Sequence, residues 1–160
     1  MTTELAESEA NDSIIQLVTF HLDGEIYGID VMQIQEVLRV TEIAPVPGAP
    51  PYVLGIFNLR GNVVTVIDTR GRFSLPPGEI TDSTRIVIIE SEKQVVGILV
   101  DGVAEVVELN TDSIDPAPNV GDDESSRYIQ GVATLDDKLL IVVDLNKLLT
   151  ENEWNQVGTL

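Results

Sequence analysis

The 160-residue chain contains no cysteine, so it can form neither a disulfide nor a thiolate metal site. Its single histidine, His21, has no second histidine to complete a metal site or a catalytic pair. The longest purely apolar run, "VVGILV" at residues 95–100, is far shorter than the roughly 20 residues of a membrane-spanning helix. The polar, acidic N-terminus lacks the apolar core of a signal peptide. These absences predict a cytoplasmic protein that is not inserted in a membrane.

Basic residues are scarce. Nine lysines and arginines stand against 27 acidic residues, for a formal net charge of −18. Nucleic acids and anionic lipid surfaces would repel such a chain, so we predict neither as a partner. Scarce lysine with excess acid is typical of salt-adapted proteins, and an ordinary acidic protein explains it equally well.

The fingerprints of nucleotide binding are also missing, since neither G-x-x-x-x-G-K-[ST] nor G-x-G-x-x-G occurs. The acidic stretch "GDDESS", residues 121–126, lacks the ligand spacing of a calcium loop. We therefore predict no cofactor and no metal.

An internal repeat dominates what is present. At an offset of 69 residues, "GIDVMQIQEV" (28–37) matches "GILVDGVAEV" (97–106) at five of ten positions. At an offset of 76, "GIFNLRGNVVTVIDT" (55–69) falls on "GVATLDDKLLIVVDL" (131–145). Because repeats determine architecture, the sequence predicts a duplicated unit.

The repeated unit is predicted to be mostly β-strand. Asp23-Gly24 between two extended runs is typical of a hairpin. Residues 31–38 favour a strand with at most one helical turn, and residues 110–126 form the longest loop. "LNKLL" after Asp144 predicts a short terminal helix capped by that carboxylate.

About five short strands in each repeat favour a barrel, because closure removes exposed strand edges. We expect an all-β fold of two five-stranded barrels related by a pseudo-twofold axis, intertwined within one domain at residues 14–150. Residues 1–13 and 151–160 are predicted to be flexible tails. A groove between the barrels is a natural docking site.

A duplicated β protein also raises the alternative of an aspartic protease, with Asp68 and Asp144 as its two carboxylates. The Asp-Thr-Gly signature is absent, since Arg70 follows Thr69. Two protease lobes would also need a much longer chain. The simpler interpretation is that both carboxylates cap the turns that follow their strands.

Arg60 is a candidate contact for a partner. It lies in a turn between two predicted strands, where binding residues concentrate, and the equivalent turn in the second repeat carries Asp136. Its planar guanidinium suits paired hydrogen bonds to a carboxylate or to carbonyls. The alternative is an intramolecular ion pair, and the local pattern leaves both open.

Ile34 and Glu36 are also candidates either for a partner contact or for a structural role. In an extended segment they would face the same side, as a partner contact or as an ordinary barrel rim. Glu105 repeats Glu36, which favours a structural role at that position in both repeats.

Four ordered segments resemble the CheW-type chemotaxis coupling proteins over about residues 14–150: "FHLDGEIYGIDVMQIQEVLRV", "PPYVLGIFNLRGNVVTVIDTRGRF", "VVGILVDGVAEV" and "YIQGVATLDDKLLIVVDLNKLL". The same domain occurs in the kinase CheA and the adaptor CheV, but the chain has no room for their other modules. The resemblance implies two SH3-like barrels and a scaffold without catalysis.

The resemblance also implies partners. The family joins the cytoplasmic helical hairpin of chemoreceptors to the regulatory domain of a CheA-type histidine kinase, in arrays at the membrane. An adaptor for a receptor pathway other than chemotaxis is the alternative. The kinase is expected on the first barrel, with no residues assigned.

The receptor hairpin is expected in the groove between the barrels. The residues carried over to that surface are Ile34, Glu36, Gly55, Arg60, Val96 and Gly97, with Glu36 and Arg60 in one polar network. Thr69 and Gly71 replace better helix formers and weaken the helix expected after Asp68.

Overall fold

The computed structural model describes residues 13–91, 94–116 and 128–158. Residues 1–12 of the predicted tail at residues 1–13, and the acidic stretch 121–126, lie outside the described residues. The strands are β1 Ile14–Leu22, β2 Glu25–Asp30, β3 Ile34–Arg39, β4 Val53–Leu59, β5 Asn62–Ile67, β6 Arg85–Glu90, β7 Val95–Val100, β8 Gly102–Asn110, β9 Ile129–Leu135 and β10 Lys138–Val143, and the helices are α1 Thr69–Arg72 and α2 Glu151–Gly158. Among the described residues, neither helix is long and apolar enough to cross a bilayer.

The strands form two five-stranded sheets whose orders are equivalent. Sheet 1 is β8-β1-β2-β10-β9, and sheet 2 is β3-β6-β7-β5-β4. When β1 to β5 are exchanged for their repeat partners β6 to β10, one order becomes the other. Each sheet takes strands from both repeats, so the duplication is confirmed and its two copies are interleaved.

Each sheet curls until its edges meet. Ala44, which follows β3, forms an antiparallel bridge with Ile56 of β4 and thereby joins the two edges of sheet 2. Asp115, which follows β8, bridges Val132 of β9 in sheet 1. Both sheets therefore have the closed form of small barrels, as predicted. The bridge at Asp115 and a 3₁₀ turn at Thr111–Ser113 give structure to the start of the predicted 110–126 loop.

The three apolar clusters follow from this arrangement. One fills the second barrel, formed by sheet 2, and comprises Phe57, Val64, Val66, Ile86 and Ile88. Another fills the first barrel, formed by sheet 1, and comprises Leu17, Ala133, Leu140 and Val142. The largest lies between the sheets, where the rings of Phe20, Tyr27, Phe73 and Tyr128 follow one another with centroid separations of 5.5, 5.1 and 4.2 Å; the first and last pairs are stacked and the middle pair is tilted. Burial between the barrels therefore fixes their relative position.

Local predictions around the strands are largely confirmed. Residues 31–38 form one 3₁₀ turn, Val31–Gln33, and then β3. Asp144 caps a 3₁₀ turn at Leu145–Lys147, at the site of the predicted terminal helix. The helix expected to be weak after Asp68 forms a single turn, α1.

Three two-residue hairpins have positive φ at both central residues, as a type I′ turn requires. They are Asp23-Gly24 (50° and 79°), Arg60-Gly61 (52° and 89°) and Asp136-Asp137 (49° and 66°). The hairpin predicted at Asp23-Gly24 is confirmed.

We expect Asp137→Gly to raise the free energy of unfolding by about 0.5–1 kcal/mol, because glycine removes the left-handed strain of a side chain at φ 66°. Urea denaturation measures the change. Gly61→Asp, the reverse change at the equivalent position of the other barrel, should destabilise. An unchanged or lower midpoint for Asp137→Gly would contradict this explanation.

The tail predicted for residues 151–160 is wrong at residues 151–158, which form α2. Trp154 and Val157 are buried in the cluster between the sheets. The Thr150 N–H donates to Glu153 Oε1 at 2.8 Å, and the Glu153 N–H donates to Thr150 Oγ1 at 3.1 Å. This reciprocal capping box, T-x-x-E before apolar residues, was visible in the sequence.

Arg72 ties α2 to α1. Its guanidinium donates to both oxygens of Glu153 at 2.9 and 2.5 Å, and its Nε donates to the Leu148 carbonyl at 2.8 Å. Burial alone would raise the pKa of Glu153, but the Thr150 N–H and the Arg72 guanidinium outweigh it, so the pKa lies below its ordinary value.

The pKa of Glu153 is lower in the folded protein than in the unfolded chain. Its carboxylate therefore stabilises the fold at pH values above the unfolded pKa of about 4.3, and this stabilisation is lost as the pH falls below that value toward the folded pKa. Glu153→Gln should cost about 1–2 kcal/mol at pH 7. The difference in melting temperature from the parent should shrink between pH 5 and pH 3, whereas a constant difference would contradict the assignment.

Candidate functional site

The two carboxylates of the protease alternative serve separate turns. Asp68, at the end of β5 in sheet 2, accepts the Gly71 N–H at 3.2 Å. Asp144, at the end of β10 in sheet 1, accepts the Asn146 N–H at 3.0 Å. The prediction that they are capping residues is confirmed, and no shared acid–base pair is built from them.

Arg60 and Glu36 form a bidentate ion pair on the second barrel. Nη1 of Arg60 donates to Oε2 of Glu36 at 2.9 Å, and Nη2 donates to Oε1. Arg60 occupies the tip of the β4–β5 hairpin and Glu36 lies on β3, the opposite edge of sheet 2. The contact therefore depends on closure of the barrel. The alternative of an intramolecular pair is confirmed for the isolated chain.

This ion pair remains accessible. The Arg60 side chain is 70% exposed and that of Glu36 is 26% exposed. Their hydrogen bonds lower the pKa of Glu36 and raise the pKa of Arg60, so both stay charged near neutrality. Such a pair contributes little to folding. It presents a fixed guanidinium and a partly open carboxylate to whatever approaches this face.

Three of the predicted residues, Gly55, Gly97 and Glu36, belong to one line of directly paired residues that crosses sheet 2 perpendicular to its strands, here called a row. Gly55 pairs with Val66, Val66 with Gly97, Gly97 with Ile88, and Ile88 with Glu36. The next row contains Ile34 and Val96, each opposite Ile89 of β6. The structure thus gathers all six predicted residues, with Arg60 at the adjoining turn, on the second barrel.

Ile34 and Glu36 do not share a face, contrary to prediction. The register shifts between them, so that Ile34 pairs with Ile89 but Glu36 pairs with Ile88. Directly paired residues point to the same side, and these two isoleucines belong to different clusters. The bulge therefore turns Ile34 toward the cluster between the sheets and Glu36 toward the side of the second barrel's cluster.

Gly55 has a structural role. A Cβ on it would lie 2.5 Å from the Ala44 carbonyl oxygen, at the bridge that closes the barrel. Gly131, its repeat partner, has the same crowding, with a Cβ 2.6 Å from the Asp115 carbonyl oxygen. Both barrels have a glycine at this position, and in both a side chain would collide with the backbone that closes the barrel. Barrel closure therefore explains why residue 55 is a glycine.

Gly97 and Val96 are also buried, and Val96 is 0% exposed. A Cβ on Gly97 would lie 2.9 Å from Cγ2 of Ile86, and a Cβ on its repeat partner Gly28 would lie 3.2 Å from Cδ1 of Leu17. These residues shape the sheet and leave Ile34, Glu36 and Arg60 as the accessible members of the predicted set.

Sequence reasoning missed two exposed apolar residues close to Glu36 and Arg60 in the sequence, which point to the opposite face of sheet 2 from Glu36. Val63, near the start of β5, is 68% exposed, and Val37, next to Glu36, is 40% exposed. The alternation of β3 and β5 could have identified them as outward-facing.

An open groove of about 860 Å³ is lined by the segment before β4 and by both helices, including Tyr52, Arg72 and Glu153. The six predicted residues, all of which are described, lie outside its lining. The groove expected between the barrels is largely filled by the apolar cluster between the sheets.

Comparison with known proteins identifies the family. A model of the CheW-like domain matches residues 16–153. The chemotaxis protein CheW of Treponema pallidum is 35% identical, with 94% of this chain and 91% of that protein covered, and that of Klebsiella aerogenes is 33% identical, with 91% and 87% covered. The crystal structure of the scaffolding protein TtCheW from Thermoanaerobacter tengcongensis superposes with a TM-score of 0.78 at 34% identity, covering 87% of this chain and 90% of that one.

These relatives are chemotaxis proteins, so the alternative of another receptor pathway is not favoured. The fold agrees with two SH3-like barrels. The chain belongs to the CheW-like family of non-catalytic coupling adaptors in chemotaxis.

Proposed function

We propose that this protein joins the cytoplasmic helical hairpin of a chemoreceptor to the regulatory domain of a CheA-type histidine kinase, and is recruited in this way to receptor arrays at the membrane. The observation that carries the proposal is the exposed Arg60–Glu36 pair on the second barrel. The equivalent turn of the first barrel carries Asp136, so the two barrels differ in charge at matching sites.

The receptor hairpin contacts Arg60 and Glu36. It also reaches Ile34, which is only partly buried on the edge strand β3, although Ile34 points to the opposite side of the sheet from Glu36. Arg60 donates to polar groups of the helix through N–H groups not used by Glu36, because a guanidinium has five N–H donors and the pair uses two. Gly55, Val96 and Gly97 contribute indirectly, since they are buried and hold the sheet that presents the contact residues.

The kinase contacts the first barrel, so that both partners are held at once. Purified receptor-hairpin and kinase regulatory-domain fragments, mixed with this protein and analysed by calorimetry and sedimentation, should form a ternary complex. Arg60→Glu should weaken the receptor arm and leave the kinase arm unchanged. Competition between the two fragments for one site would contradict the proposal.

A further inference from the structure

The turn that carries Arg60 has an unfavourable residue at its first central position. Arg60 and Gly61 are the central residues of the β4–β5 hairpin, with φ of 52° and 89°. Glycine tolerates a positive φ, and among the other residues it is asparagine and aspartate that adopt it most readily. An arginine there brings its Cβ close to the following carbonyl. The conformation of this turn therefore depends on a contact from outside its two central residues.

Asn58 makes that contact. In a two-residue hairpin, the N–H groups of the central residues have no partner in the ladder between the strands. The Gly61 N–H instead donates to Oδ1 of Asn58 at 2.7 Å. Asn58 lies on β4, directly opposite Val63 of β5. The bond therefore ties the turn to the strand before it, and it fixes the direction in which Arg60 leaves the backbone.

The equivalent hairpin of the first barrel lacks this bond. Its central residues are Asp136 and Asp137, both of a type that adopts positive φ readily. Thr134 stands at the position of Asn58, 76 residues further along the chain. Among the described residues, no hydrogen bond joins the Thr134 side chain to its turn. A turn built from aspartates is thus closed without the contact that the Arg60 turn has.

The acid that pairs with Arg60 does not show this difference between the barrels. Glu36 has an equivalent on the first barrel, Glu105, at the 69-residue offset. A carboxylate at this position is therefore common to both barrels. The asparagine and the arginine occur together on the second barrel, two residues apart, and both are replaced on the first. Asn58 thus accompanies the arginine rather than the acid.

We propose that Asn58 is a positioning residue for the receptor contact: its side-chain oxygen holds the turn at Gly61 so that the Arg60 guanidinium meets Glu36 and faces the receptor helix. This inference rests on the proposed function. Asn58 is exposed and follows Phe57, which packs in the cluster of the second barrel, so its side chain points to the opposite face of the sheet from that cluster. It acts through Arg60, because a bidentate pair requires a fixed approach of the guanidinium.

Asn58→Val removes the acceptor and leaves a residue well suited to a strand. We expect it to weaken the binding of a receptor hairpin fragment about tenfold in a calorimetric titration. Asn58→Asp keeps an acceptor oxygen at the same place and should retain most of the affinity. Thr134→Val, the matched change at an exposed position of β9, should leave the affinity unchanged. Melting temperatures verify that each variant is folded.

Two further measurements separate positioning from a general effect on the fold. Nitrogen relaxation of Arg60 Nε in the free protein should show a more mobile guanidinium in Asn58→Val than in the parent or in Asn58→Asp. In a protein that already carries Arg60→Ala, Asn58→Val should change receptor affinity by less than about twofold, since residues that act through each other are not additive.

Arg60 Nε that is as rigid in Asn58→Val as in the parent would overturn the inference. So would an equal loss of affinity from Asn58→Val with and without Arg60→Ala, because Asn58 would then act independently of the arginine. If the parent and Arg60→Ala bind the fragment equally, the proposed receptor contact is what fails, and the relaxation of Arg60 Nε alone decides whether Asn58 places the guanidinium.

Discussion

Arg60→Glu is expected to lower the affinity for a receptor hairpin fragment by about a hundredfold, with little change in melting temperature. The substitution removes the donors proposed to contact the receptor and places a second carboxylate beside Glu36. Calorimetric titration of the fragment measures the affinity. The fold should survive because Arg60 is at an exposed turn and its side chain is 70% exposed.

Two further variants separate recognition from turn geometry. Arg60→Glu combined with Glu36→Arg restores an ion pair with reversed direction, and we expect receptor binding to stay lost. Asp136→Arg changes charge at the equivalent turn, at φ 49° compared with 52° for Arg60, and should leave receptor affinity unchanged. Restored binding in the swapped variant would reduce Arg60 to a structural role.

Trp154→Ala is expected to lower the free energy of unfolding by about 3–5 kcal/mol. Trp154 is 3% exposed in the cluster between the barrels. Its Nε1 donates to the Asn146 carbonyl at 3.2 Å, and its own carbonyl accepts from Gln94 Nε2 at 2.7 Å. Removing the indole would open a cavity at the surface that holds α2 on the domain.

Urea denaturation followed by circular dichroism measures this effect, because Trp154 is the only tryptophan and fluorescence would be lost with it. Trp154→Phe should lose less stability, and Asn155→Ala, at an exposed position of the same helix, should change it little. A loss below about 1 kcal/mol for Trp154→Ala would show that α2 is only loosely attached.

The repeat was the most informative feature of the sequence. Its two offsets place equivalent strands in register, and the hairpin at Asp23-Gly24 follows from turn chemistry alone. The interleaving of strands between barrels depends on long-range pairing, such as β2 beside β10, which local pattern does not specify.

The sequence allowed the residues of the candidate site to be predicted, but it did not show which of them are exposed and which have a structural role. The period-two argument for Ile34 and Glu36 failed because a bulge set by pairing with β6 intervenes. The function of Gly55 depends on Ala44, which approaches only when the barrel closes. The contact between Arg60 and Glu36 likewise requires the two edges of one sheet to meet.

Coupling of receptor to kinase is tested most directly by the autophosphorylation rate of a cognate CheA-type kinase with receptor, in the presence and absence of this protein. We expect the rate to rise only when receptor, kinase and this protein are all present, and Arg60→Glu to abolish the rise. An unchanged rate with folded protein in excess would contradict the proposed coupling of receptor to kinase.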